Sequence, residues 1–141
     1  MKAISIMQPW LFAICRMGKQ IENRTWAPSP MLIGQRIALH AGKKEDDALP
    51  VPGYSAGNGA GTFSSVIAVA TLAEIVRTKR RAAELGQERW WVDRPSNVGH
   101  LFADIVELPR PVIGVSGSLS YWQLPADIER HVLEQLASRP L

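Results

Sequence analysis

Positions 18–26, GKQIENRTW, bring a lysine, a glutamate, an arginine and a tryptophan into nine residues. A lysine ammonium partly removed from water loses its proton more readily and then serves as a base or a nucleophile. An arginine beside an indole makes a flat cationic platform on which a nucleobase stacks, worth ~1–3 kcal/mol per base. A carboxylate between them pairs with those cations or accepts hydrogen bonds from a base edge or a ribose hydroxyl. Strand alternation over IENRTW puts Glu22, Arg24 and Trp26 on one face and Ile21, Asn23 and Thr25 on the other. For Lys19 the spacing leaves two readings open. It is a desolvated base in a pocket, or an exposed cation at the end of the preceding helix, where the helix dipole favours it.

Other residues supply the rest of a nucleic-acid chemistry. His40, Lys43 and Lys44, in RIALHAGKK, are expected to join Arg24 and Trp26 in meeting phosphates and bases. Ser116, in the turn GVSGSLS, adds a hydroxyl and backbone N–H groups for a phosphate. Cleavage of RNA needs a base for the 2′-hydroxyl, a cation for the developing charge and an acid for the leaving oxygen. Lys19, Tyr54 and Ser118 fill parts of these roles, with Glu22 beside them and magnesium assisting. Tyr54 is the one large polar side chain of a glycine-rich loop over 50–63, where it is placed to close over a ligand. GYSAG, 53–57, has the pattern of a nucleophile elbow but lacks the strand before it and the helix after it that the motif requires. One cysteine and three dispersed histidines give no metal-ligand spacing, so no resident metal is expected and folding is expected to need no cofactor. Cys15, in an apolar segment, is expected to be a buried, inert thiol.

These residues need elements to hold them. AISI reads as a strand. The next helix starts near Pro9 and stops at Gly18, with Trp10, Leu11, Ile14 and Cys15 at helical spacing. RIALHAG is a second strand, with Ile37 and Leu39 opposite Arg36, Ala38 and His40, and KKEDDAL a single helical turn. SSVIAVATLAEIV is β-branched and almost continuously apolar, as a central strand is. RTKRRAAELG is helical. VGHLFADIVEL and RPVIGV form a strand pair interrupted by Pro109 and Pro111. The last helix, about 125–138, shows Ile128, Val132 and Leu136 at i, i+4, i+8 and packs on the sheet. Strands alternate irregularly with few helices, which predicts one α+β domain over 1–141 and excludes a doubly wound sheet.

With 141 residues and 46% hydrophobic content, the chain has enough material for one core. No apolar run reaches the ~20 residues of a membrane helix. The opening MKAISIMQPW lacks the features of a secretory signal, so no membrane partner and a cytoplasmic setting are expected. Net charge is +3, yet it is segregated. Residues 1–44 hold seven Lys/Arg against one acid, while 82–141 hold five against eight. A basic side of this kind is the footprint of a polyanion binder.

ISIMQPW, then GKQIENRTW, then GQRIALHAGKK, together resemble the ASCH domain of the PUA-like superfamily, of the cointegrator type. GTFSSVIAVATLAEIV resembles that family's central strand, and LPRPVIGVSGSLSYWQLP its strand, turn and closing tryptophan, so the likeness spans roughly 2–125. The resemblance implies a small mixed β-barrel flanked by a few helices, with Lys19 and Arg24 lining a cleft between barrel and helices. It implies binding of nucleic acid, single-stranded RNA first, with ribonuclease activity as a further expectation and magnesium as its cofactor. It also offers an alternative, an amidohydrolase acting on acylated nucleosides such as N4-acetylcytidine. In that branch a lysine, a threonine and a distant glutamate act together. Lys19 matches the lysine, Glu22 stands at the threonine position, and Glu84 and Glu88 are the candidates for the third group. A non-catalytic interaction module is the remaining expectation.

Overall fold

The computed structural model describes residues 1–46, 51–55 and 62–138. Strand β1 (Lys2–Gln8) runs into helix α1 (Trp10–Arg16), and Gly18 at φ +74° supplies the left-handed turn that leads out of it. Strand β2 (Ile21–Arg24) follows, then β3 (Arg36–Glu45) and the long β4 (Ser65–Val76). Thr78 caps helix α2 (Lys79–Glu84) by accepting a hydrogen bond from the Arg81 N–H. Strand β5 (Val98–Ile113), the short β6 (Tyr121–Gln123) and helix α3 (Ala126–Ala137) complete the chain. None of the described helices is long and apolar enough to cross a membrane.

The six strands form one mixed sheet in the order β2-β5-β4-β3-β1-β6. β1 runs parallel to β3, and the other four pairings are antiparallel. Both faces of the central strands are buried, so two apolar clusters form. Ile4, Ile6, Ile37, Leu39 and Leu72 pack with Leu11 and Ile14 of α1. Ala3, Ala38, Val66 and Val69 pack with Leu108, Val115, Leu124 and Val132, the last from α3. Each fully buried Ile or Leu contributes roughly 1.5–3 kcal/mol relative to exposure, so these clusters are what hold the helices to the sheet. Cys15 lies half-buried against the first cluster, and burial, aided by Glu107, pushes its thiol up to about 12.

The expected barrel is present as a sheet that the backbone ladder does not close, since β2 and β6 are its two edges. Side chains join those edges instead. The Trp26 ring, just beyond β2, meets Tyr121 of β6 edge-on at 5.8 Å, and Tyr121 hydrogen-bonds His100 of β5 at 2.8 Å. Two local expectations are corrected. Lys43–Glu45 continue β3 rather than forming a helical turn, because Glu45 pairs with Gln8 and Asp46 N–H donates to the Gln8 carbonyl at 2.7 Å; positions 47–49 lie outside the described residues. β5 runs unbroken through Pro109 and Pro111. Its register against β4 shifts between the Ala68↔Glu107 and Val66↔Val112 pairs, so both prolines fall where no ladder N–H is required.

Candidate functional site

Lys19 sits in the link from α1 to β2. It is buried, with the side chain 3% exposed, and not a surface cap. Its ammonium donates to the Ile21 carbonyl and to Glu22 Oε1 at 3.3 Å. The other Glu22 oxygen accepts from Arg24 Nε at 3.0 Å and Nη2 at 2.9 Å. One carboxylate therefore bridges two cations. Burial lowers the Lys19 pKa, Glu22 opposes that shift, and Arg24 adds to it.

The Arg24 guanidinium also donates to the Ser5 carbonyl of β1 at 2.7 Å. β6 pairs with β1 only over Lys2–Ile4, so the Ser5 carbonyl lies just past the end of that ladder. Arg24 thus spans the seam that the strands leave open. Trp26 does not share a strand face with Glu22 and Arg24 as alternation predicted, because β2 ends at Arg24. It still stands 5.9 Å from the guanidinium and packs edge-on against His100 at 4.9 Å. His100 donates from Nε2 to the Trp26 carbonyl at 2.9 Å, and burial lowers its pKa, so the neutral ring anchors the indole.

A cleft of about 630 Å³ opens over this floor, lined by Lys19, Glu22, Arg24 and Trp26 together. Its opposite wall is Arg89, Trp90, Trp91 and Arg94, and its far end is Trp10 and Asp46. Four cations thus face two carboxylates. Trp10 Nε1 donates to Asp46 at 2.7 Å. Asn23 fixes the far wall: its amide donates to the Trp90 carbonyl, and its oxygen accepts from Val92 N–H and from Asn97. Trp91 packs against Ile21, Val76 and Leu101. Gly99 allows that packing, because a Cβ there would lie 3.1–3.3 Å from Ile21, Val76 and Trp91. Trp90 carries Arg89 stacked 4.4 Å above its ring.

The other sequence candidates divide between two further places. His40, Lys43 and Ser118 line a second cavity of about 390 Å³, which shares Ser5 with the first. His40 is 1% exposed with both ring nitrogens engaged, by Ser5 and by the Val115 carbonyl, so it is not presented as a surface phosphate ligand. Tyr54 donates to Glu45 at 2.6 Å and packs edge-on against Phe12, outside both cavities. Lys44 and Ser116 are exposed and line neither. Lys19, Tyr54 and Ser118 are therefore not one catalytic group. Among the described residues, no three His, Cys, Asp or Glu side chains converge as metal ligands. Sequence reasoning passed over Asn23, Asp46 and the whole 89–94 wall. The signal was there: ERWWVDR, 88–94, is as dense in charge and indole as 18–26.

No family model matches the sequence, and neither does any curated protein. Solved structures do match. The crystal structure of ASCH from Zymomonas mobilis aligns with a TM-score of 0.61 at 19% identity, covering 94% of this chain and 93% of that one. A serine-to-alanine variant of the same protein gives 0.60 at 19% identity over 94% of each chain. A tyrosine-to-phenylalanine variant gives 0.61 at 19% over 94% and 96%. The chain folds as an ASCH domain.

Proposed function

We propose that the cleft binds single-stranded nucleic acid, RNA by preference. The observation that carries this reading is the convergence of Trp10, Trp26, Trp90 and Trp91 with Lys19, Arg24, Arg89 and Arg94 on one open space. A base stacks on an indole face, and the arginines meet the phosphates on either side of it. Asp46, with one oxygen committed to Trp10, keeps the other for a ribose 2′-hydroxyl. The basic first third of the chain and the resemblance to an RNA-associated family support the same reading.

Binding is tested by fluorescence anisotropy with a labelled single-stranded RNA. Each phosphate contact adds about 0.7 to the slope of log K against log salt. Contacts from Arg24, Arg89 and Arg94 predict a slope near −2, or roughly a tenfold to twentyfold loss between about 50 and 200 mM salt. A change below about twofold across that range would rule out phosphate-led binding.

Lys19 favours an additional, catalytic reading. A buried lysine with a lowered pKa, hydrogen-bonded beside a guanidinium, is placed to take the 2′-hydroxyl proton while Arg24 meets the charge that develops on phosphorus-bound oxygen. Magnesium fits this site poorly, since both Glu22 oxygens are held by cations and Asp46 is the other carboxylate of the cleft. Incubating the protein with labelled RNA, with and without magnesium, tests the reading. Cleavage that Lys19→Met abolishes supports it; no cleavage, or equal cleavage by the variant, removes it. Release of acetate from N4-acetylcytidine in the parallel reaction would assign the lysine to amide hydrolysis instead.

A further inference from the structure

A second pair of side chains, outside the Lys19 network, has the geometry of an activated nucleophile. Ser5 of β1 and His40 of β3 are register partners, and Ser5 Oγ lies 2.9 Å from His40 Nδ1. The other ring nitrogen, Nε2, lies 2.6 Å from the Val115 carbonyl oxygen. A carbonyl oxygen only accepts, so in the neutral ring Nε2 carries the proton and Nδ1 presents a lone pair. The hydrogen bond to Ser5 therefore runs from hydroxyl to imidazole. Burial lowers the His40 pKa, which favours the neutral ring. Trp122 Nε1 donates to the same Ser5 oxygen at 3.3 Å, and its ring holds His40 edge-on at 5.3 Å.

This pair opens onto the 390 Å³ cavity, whose wall includes Lys43, Gly117 and Ser118. Gly117 packs directly against the pair and leaves no room for a side chain. A Cβ at that position would fall onto Ser5 Oγ and lie 2.9 Å from His40 Cε1. Serine, a neutral imidazole that accepts its proton, and a carbonyl that orients the ring are the three parts of a nucleophile, base and orienter. Packing of the seam requires the bulk of these side chains but not the direction of the proton.

We propose that Ser5 is a nucleophile and His40 its general base, in a site that transfers the acyl group of a small carboxylic ester. Ser5 Oγ bonds to the carbonyl carbon as its proton passes to His40 Nδ1. The ester C–O bond then breaks, and the departing alkoxide takes that proton and leaves as the alcohol. Water repeats the exchange, giving its proton to Nδ1 and releasing the carboxylic acid, and Ser5 recovers its hydrogen. Lys43 and the Ser118 hydroxyl are the cavity-wall donors for the charge on the carbonyl oxygen. Ser5 also lines the larger cleft, where its carbonyl accepts from Arg24, but the proposed chemistry uses only its hydroxyl and does not depend on the RNA reading.

The test uses the full chain and a fluorophosphonate probe, which phosphonylates activated serines, with peptide mapping by mass spectrometry. One adduct is expected, on Ser5, forming faster as the imidazole is deprotonated and reaching a plateau by about pH 7. The wild-type protein is expected to hydrolyse p-nitrophenyl acetate, and the phosphonylated protein to have lost that activity. Gly117→Ala is expected to slow labelling by roughly tenfold or more, because the added methyl pushes Ser5 Oγ out of line with His40. Absence of an adduct on the folded wild type, an adduct on another residue, or absence of ester turnover overturns the proposal. So does a Ser5 labelling rate that keeps rising above about pH 8, where the His40 ring is already neutral, which would remove His40 as base. The adduct map and the pH profile are read on wild type, so neither depends on a variant folding.

Discussion

Replacing Glu22 by glutamine keeps the side chain's volume and removes the one negative charge that holds two cations. Glu22 Oε1 faces Lys19 at 3.3 Å and Oε2 faces Arg24 at 2.9 Å. The Lys19 and Glu22 side chains are 3% and 9% exposed, and that of Arg24 is 25% exposed. Removing one partner of a fully buried pair costs about 3–5 kcal/mol, because the other charge stays in a poor solvent without compensation. Water reaches Arg24 and screens part of the loss, so the lower end, about 3 kcal/mol, applies. For a chain of this length each kcal/mol moves Tm by ~3–4 °C, which gives an expected drop of ~10 °C. Differential scanning calorimetry near neutral pH reads it. Adding Lys19→Met removes the orphaned ammonium, so the double variant regains part of the loss, with a coupling of about 1 kcal/mol or more in the double-mutant cycle. If Glu22→Gln melts within ~2 °C of the parent, or the two changes add, the carboxylate is not what holds the cations.

The two tryptophans of the far wall separate stability from binding. Trp91→Ala strips a half-buried ring from the Ile21, Val76 and Leu101 cluster and is expected to cost about 2–3 kcal/mol in urea unfolding, whereas Trp90→Ala leaves the urea midpoint close to the parent's. Trp90→Ala instead weakens RNA binding by ~1–3 kcal/mol in the anisotropy assay; an unchanged Kd removes it as a stacking plate. Gly99→Ala drives a methyl against Ile21, Val76 and Trp91, and the overpacking is expected to cost about 1–3 kcal/mol; no change in urea midpoint contradicts that. His40 and His100 are held neutral, their pKa values lowered by burial. The unfolded chain binds their protons near pH 6.5, so stability is full above that pH and falls as pH drops through the folded values. Urea midpoints that stay level from about pH 7 to about pH 5 would refute this.

The elements legible in the sequence are those whose signal is local. Alternation of Ile37, Leu39 and their neighbours, the Pro9 and Gly18 bounds of α1, and the Ile128, Val132 spacing of α3 all depend on residues within one element. The continuity of β5 was not legible, because whether Pro109 and Pro111 break a strand depends on the partner's register. That Lys19, Glu22, Arg24 and Trp26 line one cavity was suggested by their closeness, since they lie within eight residues of sequence. The cavity's far wall was not legible, since Trp90 and Trp91 reach it through Asn23, whose amide bonds cross 67 residues of sequence. The burial of His40, expected to meet phosphates beside Arg24, was not legible for a related reason. A strand at a sheet's edge would expose it, but β3 is flanked by β1 and β4 with both faces covered.

The cleft lies where the sheet fails to close, and the two facts have one cause. A backbone ladder between β2 and β1 would satisfy the Ser5 carbonyl with an N–H and leave ~5 Å between strands, too little for a ligand. Arg24 makes that bond with a side chain instead, which holds the strands together at a distance and leaves a cavity between them. Under the proposed RNA reading, the guanidinium that closes the seam is also the cation that a phosphate would meet. Glu22 and the Ser5 carbonyl use part of its donors, and a phosphate arriving in the cleft must share or displace them. Displacing Glu22 would release its hold on Lys19 as well, lowering the lysine's pKa further when an anionic ligand is not near enough to replace the lost carboxylate. Ligand binding at Arg24 and the protonation of Lys19 are thus linked through a single carboxylate. Glu22→Gln, which breaks that link, is expected to make RNA affinity less dependent on pH in the range where Lys19 titrates. A pH dependence the same in variant and wild type would show that the two cations act independently.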